Sequence, residues 1–256
     1  MKLATTLLAG LLAISLASLG IAQDASKPVD SKPASAEKGG DEAKPRQNDR
    51  PRRNRVREAG ASRGAEVGKP APEFTLKSVD GTEYTLAMLK GKTVVLEWFS
   101  PYCPVSAGGD GSYWGSGNAS KVLAAVKAAD ADAVYLTVNS TKDGLDGKST
   151  EQNGIDSTAA IKAQGQSVPV LLDADGKVGR AYGAKTTPHI FIVDARGTVA
   201  YIGAPMSDDG ATDYVTNAVT ALKAGKPVEP SHTKNKGCSI KYAAPASPET
   251  PVAPAT

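Results

Sequence analysis

The sequence predicts an α/β domain in which helices flank a central mixed β-sheet, with a disordered N-terminal arm before it and a C-terminal tail after it. Between residues 93 and 182, segments rich in β-branched and aromatic residues alternate with helical patterns, which is typical of parallel βαβ units. Later, two apolar segments are separated only by the turn Ala195-Arg196-Gly197, which predicts an antiparallel pair and therefore a mixed sheet.

The first residues have the pattern of a secretory signal. Met1-Lys2 is a short basic start, the run from Leu3 to Ile21 is almost wholly apolar or small, and Gly20-Ile21-Ala22 fits a signal-peptidase site. Residues 1–22 are therefore interpreted as a signal peptide, with a single membrane anchor as the alternative. No later segment is apolar enough to span a bilayer, so we expect a secreted or periplasmic protein with no membrane span after signal removal.

This interpretation predicts that the mature chain begins at Gln23. N-terminal sequencing of exported material checks it, because cleavage after Ala22 leaves that residue first. Exported protein that still carried Met1 would contradict the assignment.

The next segment, residues 23–65, is predicted to be a disordered basic linker. From Gln23 to Arg63 there are eleven Lys/Arg and seven Asp/Glu, hence a charge of +4, and almost no side chain to bury. Such a composition cannot offset the entropy lost on ordering. A basic run can contact anionic polymers, but no aromatic residue is interleaved with these arginines. We therefore expect a solvated tether and no nucleic-acid partner.

One domain of ordinary size, residues 66–227, follows the linker. It begins with a hairpin from Ala71 to Leu86, where Phe74 and Leu76 alternate with polar residues and Asp80-Gly81 forms the turn. Later strands are predicted from β-branched and aromatic runs, and helices from apolar residues three or four positions apart. In order these are strand 93–99, helix 121–129, strand 133–138, helix 155–164, strand 168–172, helix 178–182, strands 190–193 and 198–202, and helix 214–223.

The chain has only two cysteines, Cys103 and Cys238. Cys103 comes just after the strand 93–99, at the sheet edge where open α/β folds usually bind ligands. Cys238 lies in the C-terminal segment, residues 228–256, which ends in a Pro/Ala-rich tail. Two cysteines in an oxidising compartment indicate either one disulfide or a working thiol, and the residues alone leave both open.

Several separated blocks together resemble one family. These are Val67-Gly68-Lys69-Pro70-Ala71-Pro72-Glu73-Phe74, Leu89-Lys90-Gly91-Lys92 with the strand after it, Pro101-Tyr102-Cys103-Pro104, Tyr182-Gly183, Thr187-Pro188 and Ile190-Phe191-Ile192-Val193-Asp194. In this order they are similar to the redoxins, or peroxiredoxin-like proteins, of the alkyl hydroperoxide reductase/thiol-specific antioxidant family. Gly237 to Tyr242 resembles the end of one peroxiredoxin-like subgroup.

The resemblance implies a thioredoxin-like fold in which Cys103 opens the first crossover helix and Pro188 is a cis-proline facing it. It implies Cys103 as attacking thiol and Cys238 as resolving thiol. Ser100, Pro101, Pro104, Thr187 and Pro188 would shape the site, with Ser100 donating a hydrogen bond to the thiolate. The implied substrate is a hydroperoxide or a protein disulfide, and the electrons would come from an external thiol reductant. No organic cofactor is expected, since no phosphate-cradling glycine motif is present, and no metal-binding residue is assigned.

The sequence departs from the family pattern around Cys103. Ser106 occupies the position of a second cysteine in a Cys-x-x-Cys motif, so this motif cannot itself exchange a dithiol. Leu96 and Pro188 stand where typical peroxiredoxins carry a proline and an arginine. Glycines between residues 108 and 117 weaken the helix expected to activate the thiol.

Two other functions stay open. The first is a non-catalytic binding module whose fold is stapled by a Cys103–Cys238 disulfide. The second is copper handling by Cys103 and His189, as in Sco-like relatives of the fold. Those relatives use Cys-x-x-x-Cys, whereas residue 107 here is alanine.

Overall fold

The computed structural model describes residues 64–244. The predicted signal peptide, the basic linker up to residue 63 and residues 245–256 of the tail lie outside the described residues. Within residues 64–244, no helix is both long enough and apolar enough to cross a membrane.

Among the described residues, seven strands form one mixed sheet in the order β2-β1-β5-β4-β3-β7-β8. The strands β3, β4 and β5 are parallel, and the other neighbours are antiparallel. A small second sheet pairs β6 with β9. The bounds are β1 Thr75–Ser78, β2 Glu83–Thr85, β3 Val94–Trp98, β4 Val134–Asn139, β5 Val170–Leu172, β6 Thr186–Thr187, β7 His189–Val193, β8 Val199–Gly203 and β9 Cys238–Ser239.

The helices lie against both faces of the large sheet. They are α1 Asn118–Ala129, α2 Thr150–Ala163, α3 Lys177–Tyr182 and α4 Tyr214–Lys223, with a short 3-10 helix at Ala87–Leu89. Because successive strand residues point to opposite faces, Val95 and Leu96 of β3 belong to different cores. Val95 packs with apolar residues of α1 and α4, and Leu96 packs with Trp98 and Tyr182.

The observed elements confirm the predicted α/β architecture and correct several details. The helix α2 begins at Thr150, five residues before the predicted start, because the Ser149 side chain caps it by accepting the N–H of Gln152 at 3.0 Å. The strands β6 and β9 were not predicted. Each has only two residues, so neither has a recognisable hydrophobic period.

The C-terminal segment also differs from expectation. The sequence places Cys238 in a C-terminal segment beyond the domain, but residues 237–243 are hydrogen-bonded to the domain through their backbone. The N–H of Ile240 donates to the Lys185 carbonyl at 3.0 Å, and the N–H of Lys142 donates to the Lys241 carbonyl at 2.8 Å. These bonds fix the second cysteine relative to the sheet.

Candidate active site at the two cysteines

Cys103 lies in a loop of turns between β3 and α1 and does not open a helix. Its carbonyl accepts the N–H of Ser106 at 3.0 Å and of Ala107 at 2.8 Å, which makes a single turn. The helix α1 starts only at Asn118, after a stretch containing five glycines at 108, 109, 111, 115 and 117. Glycine disfavours helix, so the expected crossover helix is delayed and its dipole cannot activate the thiol.

The loop after Cys103 is anchored by a buried carboxyl group on β3. Glu97 Oε1 accepts the indole N–H of Trp114 at 2.9 Å, and Oε2 accepts the hydroxyl of Tyr135 at 2.7 Å. The Trp114 ring also packs edge-on against Phe99, with centroids 5.5 Å apart. Burial raises the pKa of Glu97 to about 7, although both hydrogen bonds oppose the shift.

Glu97 was not predicted as a site residue. The available signal was a single carboxylate in the middle of the strand Val94–Trp98, whose five residues are all buried. A buried carboxylate needs hydrogen-bond donors, and the later Trp114 and Tyr135 could supply them.

The Cys103 thiol is nearly inaccessible, with 2% of the residue exposed. It donates a hydrogen bond to the Thr187 carbonyl at 3.0 Å. The Thr187–Pro188 peptide bond, which connects β6 to β7, is cis, and the Thr187 carbonyl lies against the sulfur.

Cys238 is brought to the same place by β9. Thr187 of β6 is paired with Cys238, and the Thr187 carbonyl also accepts from the Cys103 thiol, so the two cysteines lie next to each other. Gly237 permits this approach, because a Cβ there would overlap the Thr187 carbonyl and its φ of 157° is rarely adopted by other residues. Both cysteines are free thiols, Cys103 buried and Cys238 half-buried.

The pKa values of the two thiols shift in opposite directions. Burial raises the pKa of Cys103, and its bond to the Thr187 carbonyl is available only to the protonated form. Hydrogen bonds to the thiolate outweigh both effects, so the pKa of Cys103 lies below its ordinary value. They come from Cys238, the Thr187 side chain and the Ser106 N–H. The pKa of Cys238 is raised by burial and by its hydrogen bond with Cys103. The arrangement therefore favours a thiolate at Cys103 and a proton on Cys238.

The remaining predicted site residues lie in the loop on either side of Cys103. The Ser100 hydroxyl accepts the N–H of Tyr102 at 3.4 Å, and its hydrogen bond to the Cys103 thiolate stays a prediction. Pro101 is half-buried and Pro104 exposed, on either side of Cys103. The Ser106 hydroxyl is buried and has no hydrogen-bond partner among the described residues.

His189, considered as a copper ligand, is buried beside the site. Its Nδ1 accepts the N–H of Lys185 at 3.2 Å. Burial, together with the charges of Lys185 and His232, lowers the pKa of His189 to about 4. In residues 64–244, no three His, Cys, Asp or Glu side chains cluster as metal ligands would. The residues present do not assemble a copper site.

Comparison with known proteins gives one family match. The model of the AhpC/TSA family matches residues 67–202, which include Cys103, Thr187 and Pro188. Cys238 lies beyond the matched range. No curated protein matches the sequence.

Solved structures match the fold. A hypothetical protein from Sinorhizobium meliloti has 24% identity and a TM-score of 0.57, over 71% of this chain and 97% of its own. An uncharacterized conserved protein from Geobacillus kaustophilus has 25% identity and a TM-score of 0.55, over 71% of this chain and 95% of its own. The mixed sheet with flanking helices and the family match confirm the predicted thioredoxin-like fold.

Proposed function

The chain belongs to the AhpC/TSA family, and we propose that it is an exported, peroxiredoxin-like thiol oxidoreductase with Cys103 as attacking thiol and Cys238 as resolving thiol. The observation that carries the proposal is the pairing of Thr187 with Cys238, which brings the Cys238 thiol next to the Cys103 thiol. Export is supported by the signal pattern of residues 1–22.

In the first step the Cys103 thiolate attacks one oxygen of a hydroperoxide. The O–O bond breaks, the new S–O bond leaves Cys103 as a sulfenic acid, and the departing alkoxide or hydroxide takes up a proton to become an alcohol or water. The lowered pKa of Cys103 supplies the thiolate. Sulfur is oxidised by two electrons, and the peroxide is reduced by the same two.

In the second step the Cys238 thiol condenses with the sulfenic acid. An S–S bond forms, the S–O bond breaks, and the hydroxyl leaves as water with the proton that Cys238 gives up. An external dithiol then reduces the disulfide by exchange and carries away two electrons. A protein disulfide would enter the same cycle when the Cys103 thiolate attacks one of its sulfurs, which breaks the substrate S–S bond, releases one substrate thiolate and leaves a mixed disulfide. Cys238 then displaces the second substrate thiolate, which leaves the same Cys103–Cys238 disulfide.

Mass spectrometry of the reduced protein before and after stoichiometric hydrogen peroxide tests this function. We expect one new disulfide joining the peptides that contain Cys103 and Cys238, and its removal by a dithiol reductant. The matched control is Cys103→Ser, in which Cys238 should stay reduced because its raised pKa keeps it protonated.

Two free thiols that persist through the same treatment would contradict the proposal. The stapled binding module would then be the better account, provided that the purified native protein already contained the Cys103–Cys238 disulfide and resisted reduction without unfolding.

A further inference from the structure

A short length of chain, residues 237–243, covers Cys103 and is named here the C-terminal strap. It enters at Gly237 against the Thr187 carbonyl, pairs with β6 through Cys238 and Ser239, and continues past Lys185. These contacts are mostly backbone hydrogen bonds, which individually contribute little net stability. The strap therefore needs an anchoring side chain to stay closed.

Tyr242 provides that anchor on the surface of α3. Its ring lies over Gly176 and Gly179, where any Cβ would overlap it. Its hydroxyl donates to the Ala184 carbonyl at 2.8 Å, and the Arg180 guanidinium stacks 4.8 Å from the ring centroid. Arg180 also donates to the carbonyls of Ala243 and Asp175, so one arginine clamps both the ring and the backbone after it.

The start of α3, against which the Tyr242 ring packs, is connected to strand β3 by buried polar contacts. Asp173 accepts the N–H groups of Val178 at 3.1 Å and Gly179 at 2.8 Å, which fixes the start of α3. Ser140 donates to Asp173 at 2.5 Å and accepts the Trp98 indole N–H at 2.9 Å. The surface under the ring is therefore a rigid part of the domain.

Resting on the proposed function, we propose that Tyr242 is a positioning residue whose anchorage keeps the strap closed, so that Cys238 meets Cys103 and only a small oxidant reaches the buried sulfur. The hydrogen-bonding edge of β6 that an extended polypeptide would need is occupied by β9. With the strap in place, Cys103 is 2% exposed. The substrate class is therefore a hydroperoxide of small size, and a protein disulfide requires the strap to leave.

The variant that tests this is Tyr242→Ala, compared with Tyr242→Phe, which keeps the ring on the glycines and loses only the hydroxyl bond. With hydrogen peroxide, we expect Tyr242→Ala to form the Cys103–Cys238 disulfide at least about tenfold more slowly, because a loosened strap lowers the effective concentration of Cys238. The initial oxidation of Cys103 should slow much less than this, because only the contribution of Cys238 to the stability of the thiolate is weakened. Tyr242→Phe should remain close to the wild type, and Arg180→Ala should change in the same direction by less.

A second readout uses probe size and does not depend on peroxidase activity. In a Cys238→Ser background, Cys103 is alkylated with iodoacetamide and with a maleimide on a long polyethylene glycol chain. Tyr242→Ala should raise the ratio of the polymer rate to the iodoacetamide rate by roughly tenfold, since local opening limits only the larger probe. The matched control is Tyr84→Ala on β2, a half-buried tyrosine at the far edge of the sheet.

An unchanged ratio in folded Tyr242→Ala protein, checked by circular dichroism, would overturn the proposal. So would an equal rise in Tyr84→Ala, because general loosening of the domain would then be the cause. Failure of the proposed function gives a different result: no peroxide-dependent disulfide in any variant, whatever the probe ratio.

Discussion

Cys238→Ser is expected to slow the first oxidation of Cys103 only slightly, because the serine hydroxyl can still donate to the thiolate, and to stop turnover after one cycle. Serine cannot form a disulfide, so the sulfenic acid at Cys103 persists and a second peroxide molecule converts it to sulfinic acid, which thiols do not reduce. Peroxide consumption with a dithiol reductant should fall by a factor of roughly 10² or more after the first turnover. Peroxide-dependent loss of reductant, together with mass spectrometry of the Cys103 peptide, measures both effects.

The comparison with Cys103→Ser makes this result specific. That variant should consume no peroxide even in the first cycle, because no thiolate remains to attack. Sustained turnover in Cys238→Ser at the wild-type rate would show that another thiol resolves Cys103, and would remove Cys238 from the cycle.

Glu97→Gln is expected to remove a large pH dependence from the stability of the reduced protein. The folded-state pKa of Glu97 is raised from 4.5 to about 7, so the protonated carboxyl is the form that the fold favours. Its contribution to stability is complete below pH 4.5 and is lost as the pH rises through about 7. Glutamine remains neutral throughout, so between about pH 4 and about pH 8 its free energy of unfolding should gain about 3 kcal/mol relative to the wild type.

Urea denaturation at the two pH values measures this change, and Asp156→Asn is the matched control. Hydrogen bonds with Lys148 and Tyr102 lower the pKa of Asp156 from 3.8 to about 2, so stability from this group is lost only below the tested range. Asp156→Asn should therefore keep the wild-type pH dependence of the free energy of unfolding between about pH 4 and about pH 8. A wild-type-like pH dependence in Glu97→Gln would mean that the carboxyl is ionised in the fold at neutral pH.

The sequence predicted the large elements because their signals are local. The helix α4 has the predicted bounds, since its apolar residues recur at helical spacing and Gly225 ends the pattern. The strand β3 consists of apolar residues interrupted only by Glu97, and such a nearly continuous apolar run is typical of a strand buried on both faces.

The parts of the site that could not be predicted depend on distant pairing. Thr187 and Cys238 are paired across the β6–β9 ladder although they are far apart in the chain, and two-residue strands have no periodic pattern. Five glycines after Cys103 indicated that a helix there would be weak, but the loop that replaces it depends on the buried contact between Trp114 and Glu97. The position of the strap over the site likewise depends on contacts of Tyr242 with Gly176 and Gly179, which lie more than sixty positions earlier in the chain.

The central claim is that Cys103 is the activated thiol and that Cys238 stabilises its thiolate. The most direct measurement is the pH dependence of iodoacetamide alkylation at each cysteine of the reduced protein, with the two peptides quantified by mass spectrometry. We expect a Cys103 pKa below that of free cysteine, a Cys238 pKa above it, and an upward shift of the Cys103 pKa in Cys238→Ala. A Cys103 pKa at or above that of free cysteine, unchanged in Cys238→Ala, would contradict it.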